Sequence, residues 1–147
     1  MKTLALILAL LPTITSAQSL ADRLATAPDI SAQDWRSMTD GKTVVYQIDG
    51  QTYGYETYLG DGKVTIRLED GTCIDGTWFM QQAAFCFDWE DTALNCFHHK
   101  KLDGVVYVVA LDNGVETDDI QKVSRIANIP VACGPALLSQ LAPTAQP

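Results

Sequence analysis

Residues 74–98 read IDGTWFMQQAAFCFDWEDTALNCFH, and the way this stretch folds back on itself decides the architecture. Large apolar residues recur at every second position: Trp78 and Met80, then Phe85, Phe87 and Trp89, then Phe97 after a polar interruption. A period of two puts alternate side chains on opposite faces of an extended strand. A two-residue turn at Gln81-Gln82 sets Trp78 opposite Phe85 and Met80 opposite Ala83. A loop centred on Asp91 sets Phe87 opposite Asn95 and Cys86 opposite Cys96. Ile74, Trp78, Met80, Phe85, Phe87, Trp89 and Phe97 then share one face, and Cys86, Asp88, Cys96 and His98 share the other. One face is almost wholly apolar, as a core face should be.

The same grammar extends outward in both directions. Asp-Gly or Asn-Gly pairs stand at 40–41, 49–50, 61–62, 70–71, 75–76, 103–104 and 113–114. Both central positions of a type I′ turn need positive φ, so these pairs are strong hairpin signals. The Val-, Ile-, Tyr-, Phe- and Thr-rich runs between them predict strands at 43–48, 52–59, 63–68, 72–80, 84–90, 94–100, 105–111 and 115–125. The last also fits a helix, since Ile120, Val123 and Ile126 suit either period. Asp75-Gly76 falls inside a strand and reads as a bulge. Ahead of the strands, Ser19–Ala27 is weakly helical and Ser31-Ala32-Gln33-Asp34 resembles a capping box, with Trp35 and Met38 on one helix face and Gly41 as C-cap. The expected fold is all-β: an antiparallel up-and-down meander of about eight strands, barrel-like or a bent sheet, with a short N-terminal helix.

Domain organisation is simple. Residues 1–17, MKTLALILALLPTITSA, have a basic start, a short apolar run and small residues at the end, the layout of a secretory signal peptide. An N-terminal helical segment (18–42), a β domain (43–133) and a flexible, proline-containing C-terminal tail (134–147) follow. The 147 residues are 47% hydrophobic and 19% charged, which excludes disorder and fibrous repeats. A net charge of −8 argues against nucleic acid and against anionic membranes as partners. After signal cleavage no membrane attachment is expected, and the destination is the periplasm or the exterior. Cys73, Cys86, Cys96 and Cys133, in an exported domain, read as two disulfides.

Catalytic, metal and cofactor signals are lacking. The neighbours His98 and His99 point to opposite faces of a strand, so they cannot chelate one ion together. His98 is expected at the surface beside Lys100, and His99 partly buried with a hydrogen-bond partner. Asp88, Glu90 and Asp91 read as solvated charge, without an apolar pocket to raise a pKa. There is no G-x-S-x-G, no phosphate-binding glycine loop and no zinc spacing. Tyr53, Tyr55 and Tyr58 look exposed, with Tyr53 and Tyr55 on one face. Trp78, Phe85, Phe87, Trp89 and Phe97 are either packed core or the lining of a ligand cavity, and core is the commoner use of such residues.

The run Gly71-Thr72-Cys73, Gly76-Thr77-Trp78, Phe85-Cys86-Phe87, Trp89, Cys96 and Asp103-Gly104 resembles a family of small exported alphaproteobacterial proteins of unknown function. Gly41-Lys42-Thr43 and the segment from Tyr53 to Tyr58 resemble that family's first two strands. The resemblance spans about residues 31–133 and implies fold and export, but no reaction. It also implies Cys86–Cys96 as the core disulfide and Cys73–Cys133 as the second; the register above independently sets Cys86 opposite Cys96. The expected function is a non-enzymatic exported binding module for an apolar small molecule or a protein partner. The alternative is an inhibitor of a secreted or invading hydrolase such as a lysozyme, whose basic surface would complement an acidic one.

Overall fold

The computed structural model describes residues 18–130 and Cys133. The expected signal peptide, 1–17, and tail, 134–147, lie outside the described residues. Eight strands follow one another: β1 (Thr43–Ile48), β2 (Gln51–Gly60), β3 (Lys63–Leu68), β4 (Cys73–Gln81), β5 (Ala84–Trp89), β6 (Asn95–Leu102), β7 (Val105–Asp112) and β8 (Val115–Ala127). Each pairs antiparallel with the next, and β8 pairs back onto β1, so the meander closes into a barrel. Asp49-Gly50, Asp61-Gly62, Asp103-Gly104 and Asn113-Gly114 all take positive φ at both residues, as type I′ turns require.

Two local expectations are corrected, and the choice left open for the last strand is resolved as strand. The β4–β5 turn sits at Gln82-Ala83, not at Gln81-Gln82, so Trp78 faces Phe87 and Met80 faces Phe85. Each partner moves by two residues, which preserves the parity of the strand and therefore the two faces. Asp75-Gly76 is not a bulge: both residues pair in unbroken register with Thr65 and Val64. Glycine is needed there because the Trp89 ring folds over it, and an added Cβ would lie 2.5 Å from Cε3 of that ring. Finally, β8 is strand throughout. Its register on β1 shifts between Val45 and Tyr46, with Val45 facing Arg125 and Tyr46 facing Val123. That bulge resets the alternation and makes the apolar spacing look helical.

Two short helices precede the barrel, α1 (Leu20–Ala25) and α2 (Ala32–Thr39). Ser31 caps α2 by accepting from the Asp34 amide, and Gly41, at φ +71°, turns the chain into β1. Trp35, on the buried side of α2, is fully buried at the lower end of the barrel. Its ring centroid lies 5.7 Å from Tyr58, 6.2 Å from Phe85 and 4.5 Å from His99. β5 pairs with β6 at Phe85, Cys86 and Phe87, opposite Phe97, Cys96 and Asn95, and the ladder does not continue along the rest of β6. The chain ahead of α2 bonds there instead: the Ile30 amide donates to the His99 carbonyl at 2.7 Å, and the Lys101 amide to the Pro28 carbonyl at 3.1 Å.

Both disulfides have the expected pairing, Cys86–Cys96 across the β5–β6 ladder and Cys73–Cys133. Past β8 the chain crosses β1, where Thr43 donates to the Ile129 carbonyl, and Cys133 is tied to Cys73 at the start of β4. That bond spans 60 residues of sequence, a loop whose closure contributes roughly 4 kcal/mol in the chain-entropy model. Two disulfides place the folded chain in an oxidising, non-cytoplasmic compartment. No helix among the described residues is long and apolar enough to cross a membrane.

Adjacent residues of β4 test the alternation directly. Trp78 is buried in the core and Phe79 is 42% exposed on the outer face. Trp78→Ala is expected to cost about 3–5 kcal/mol, whereas Phe79→Ala should cost about 1 kcal/mol or less. Denaturant midpoints read the difference; equal losses would mean that the inner and outer faces are exchanged.

Candidate functional site

The inward-facing residues fill the barrel unevenly. At the level of α2, Trp35, Val44, Tyr58, Val64, Trp78, Phe85 and Val106 belong to a packed cluster. Toward the other end, a cavity of about 280 Å³ remains inside the barrel. The aromatic face is therefore divided by height. Trp78 and Phe85 are packed core, and Phe87, Trp89 and Phe97, which belong to or pack against the same cluster, also line the cavity together with Ile66, Ile74 and Val108. Leu68 and Asn95 at the strand ends farthest from α2, Thr92 in the β5–β6 link and Asp119 on β8 form its mouth.

The floor is polar, and sequence reasoning missed it. Glu56 and Tyr46 reach in from β2 and β1, and His99 from β6. The Tyr46 hydroxyl donates to Glu56 Oε1 at 3.4 Å and lies 3.2 Å from the Tyr58 hydroxyl. Tyr58, expected at the surface, is fully buried; alternation then places Glu56 indoors as well, which is the signal that could have found it. Tyr53 is the extra residue where the β1–β2 register shifts between Tyr46 and Gln47, and it also lines the cavity.

His99 departs from expectation too. It is only 1% exposed, and neither ring nitrogen has a hydrogen-bond partner among the described residues. It packs on the inner face of β6 against Trp35 and Phe85, and the Trp35 Nε1 is likewise buried without a hydrogen-bond partner among the described residues. Burial, aided by neighbouring His98, pulls His99 down to about 3, so it stays a neutral imidazole. Burial pushes the Glu56 carboxyl up to about 7, with hydrogen bonding from Tyr58 and Tyr46 drawing it the other way. Burial, and then the Glu56 charge, raises both tyrosine hydroxyls well above their usual range.

Outside the barrel, Asp29, His98 and Glu116 place one ligand-type atom each within 4.8 Å of one another. Lys100 already sits among them. Its Nζ is 2.9 Å from Glu116 and 3.3 Å from Asp29, while His98 Nδ1 is 2.6 Å from the same Glu116 oxygen. The ammonium supplies the positive charge those carboxylates need, and the cluster fastens the chain ahead of α2 onto β6. Lys100, read as a surface neighbour of His98, is thus 5% exposed. Asp88, Glu90 and Asp91 are exposed, as expected.

Glu56 gives the fold a definite pH dependence. An unfolded glutamate titrates near 4.3, and the folded carboxyl near 7. The stability from its protonated form is fully present below about pH 4 and is lost as pH rises through 7. At 1.36 kcal/mol per unit this amounts to roughly 4 kcal/mol above pH 8. Glu56→Gln should therefore be more stable than the parent at pH 8 and near parity at pH 4.5, as read by denaturant midpoints. A less stable variant at pH 8 would refute the assigned burial cost. No family model, curated protein or solved structure matches the chain.

Proposed function

We propose that this is an exported, non-enzymatic binding protein that holds one small, largely apolar molecule inside its barrel. The observation that carries the reading is the cavity toward one end of the barrel, with aromatic walls, an open mouth and a buried polar floor. Eight-stranded barrels are just wide enough to enclose one small ligand, and binding sites typically combine apolar walls with a few polar groups. A volume of about 280 Å³ corresponds to roughly nine waters of liquid volume. A ligand of about a dozen non-hydrogen atoms is the right size by that measure.

Export to the periplasm or the exterior is part of the proposal. It is supported by the signal-like residues 1–17 and by the disulfides, which suit an oxidising compartment. So is kinship with the small exported alphaproteobacterial proteins whose Gly-x-Trp and cysteine pattern the chain resembles. Inhibition of a hydrolase draws less support, because among the described residues the meander closes into a barrel and so lacks the open sheet edge that pairs with a protein partner.

Titration with indole, followed by amide NMR shifts, tests the reading. Shifts should concentrate at Phe87, Phe97, Val108 and Ala110 and vanish in Ala110→Trp, whose larger side chain fills the cavity. Absence of shifts, or shifts that persist in Ala110→Trp, would overturn it.

A further inference from the structure

The charge inventory of the cavity selects among ligands. Among the described residues, no lysine or arginine lines it, whereas Glu56 stands at the floor and Asp119 at the mouth. The only charged side chains a carboxylate or phosphate ligand would meet among the described residues are acidic. It would have no cation to replace its lost hydration, a cost of several kcal/mol for a buried ion. A cation meets the opposite situation, and the net charge of −8 favours its approach.

The floor also has the acceptor count that a primary ammonium needs. Such a group carries three N–H donors and no acceptor. The Glu56 carboxylate has lone pairs beyond those taken by Tyr46, the neutral His99 imidazole has an unpaired nitrogen, and the Tyr46 hydroxyl oxygen can accept while its proton goes to Glu56. Phe87, Trp89 and Phe97 above them suit an aromatic or other flat apolar body. We infer that the barrel binds a small primary amine as its ammonium ion, amine end inward against Glu56 and His99 and apolar end toward the mouth. This inference rests on the cavity-binding reading and narrows it to one chemical class.

A pH signature follows. The titratable side chains around the site are Tyr46 and Tyr58 beside Glu56, His99 on β6, and Tyr53 and Asp119 nearer the mouth. Both tyrosines beside Glu56 stay protonated and His99 stays neutral throughout pH 6–8. Glu56, near 7, is the buried group of this set that changes charge in that window. An ammonium pairs with the ionised carboxylate, so binding below pH 7 expels the Glu56 proton, and affinity rises from pH 6 to pH 8.

Calorimetric titration with tryptamine, tryptophol and indole-3-acetate, which share one ring and differ in the end group, tests the inference. At pH 8 tryptamine should bind about tenfold or more tightly than tryptophol, with indole-3-acetate weakest. Tryptamine alone should tighten several-fold between pH 6 and pH 8. In Glu56→Gln its advantage and its pH dependence should disappear while tryptophol binding persists, and that persistence also shows the variant is folded. If tryptophol binds as tightly as tryptamine in the parent, or tryptamine shows no pH dependence, the ammonium inference falls and the cavity reading stands. If none of the three binds, both fall.

Discussion

The molecule depends on one indole. The interior of an eight-stranded barrel is just wide enough for side chains to fill or for one small ligand, and here the lower level is completed by Trp35, brought in from α2. Its edge-on contacts with Tyr58 and Phe85 lock the helix into the barrel mouth on that side. The capping of α2 by Ser31, the turn at Gly41, and the backbone bonds of Pro28 and Ile30 to β6 all hold that plug at its depth. Because the plug ends at His99, the space above it is left to be lined rather than packed. Closure below and opening above are thus one arrangement.

That arrangement carries a thermodynamic tension. Glu56 and His99 are both titratable, both buried, and both held in or near the neutral form by desolvation. A leucine at either place would suit the barrel's stability better, since unpartnered buried polar groups typically cost 1–3 kcal/mol. The two disulfides and the nearly continuous aromatic packing below offset such a cost elsewhere in the chain. Buried polar groups that weaken a fold and line a cavity inside it are the ordinary mark of a site.

Much of the architecture was legible because it is written locally. Asp-Gly and Asn-Gly pairs impose their own turn geometry, and period-two alternation survives even a misplaced turn, as Gln82-Ala83 showed. The Cys86–Cys96 register followed from the same arithmetic. What was not legible depends on distant parts of the chain. Gly76 looked like a bulge because the Trp89 ring that needs its missing side chain is thirteen residues away. His99 looked satisfiable because only the assembled barrel removes its partners. Glu56 was hidden by its neighbours: three tyrosines around a glutamate suggest a wet surface unless Tyr58 is recognised as interior. Whether the aromatic face is core or cavity had no single answer, since Phe85 and Phe87 share one buried cluster and Phe87 also lines the cavity.

The connections at the open end differ in kind. Asp49-Gly50 and Asn113-Gly114 are two-residue type I′ turns, with no slack for insertion between strands already in register. The links at 69–72 and 90–94 are looser and flank Leu68, Thr92 and Asn95 at the mouth. Loops accept lengthening and sequence drift far more readily than tight hairpins do. Descendants of this chain can therefore diversify what enters the barrel by rewriting those two links alone, while the plug, the ladder and the polar floor are inherited unchanged.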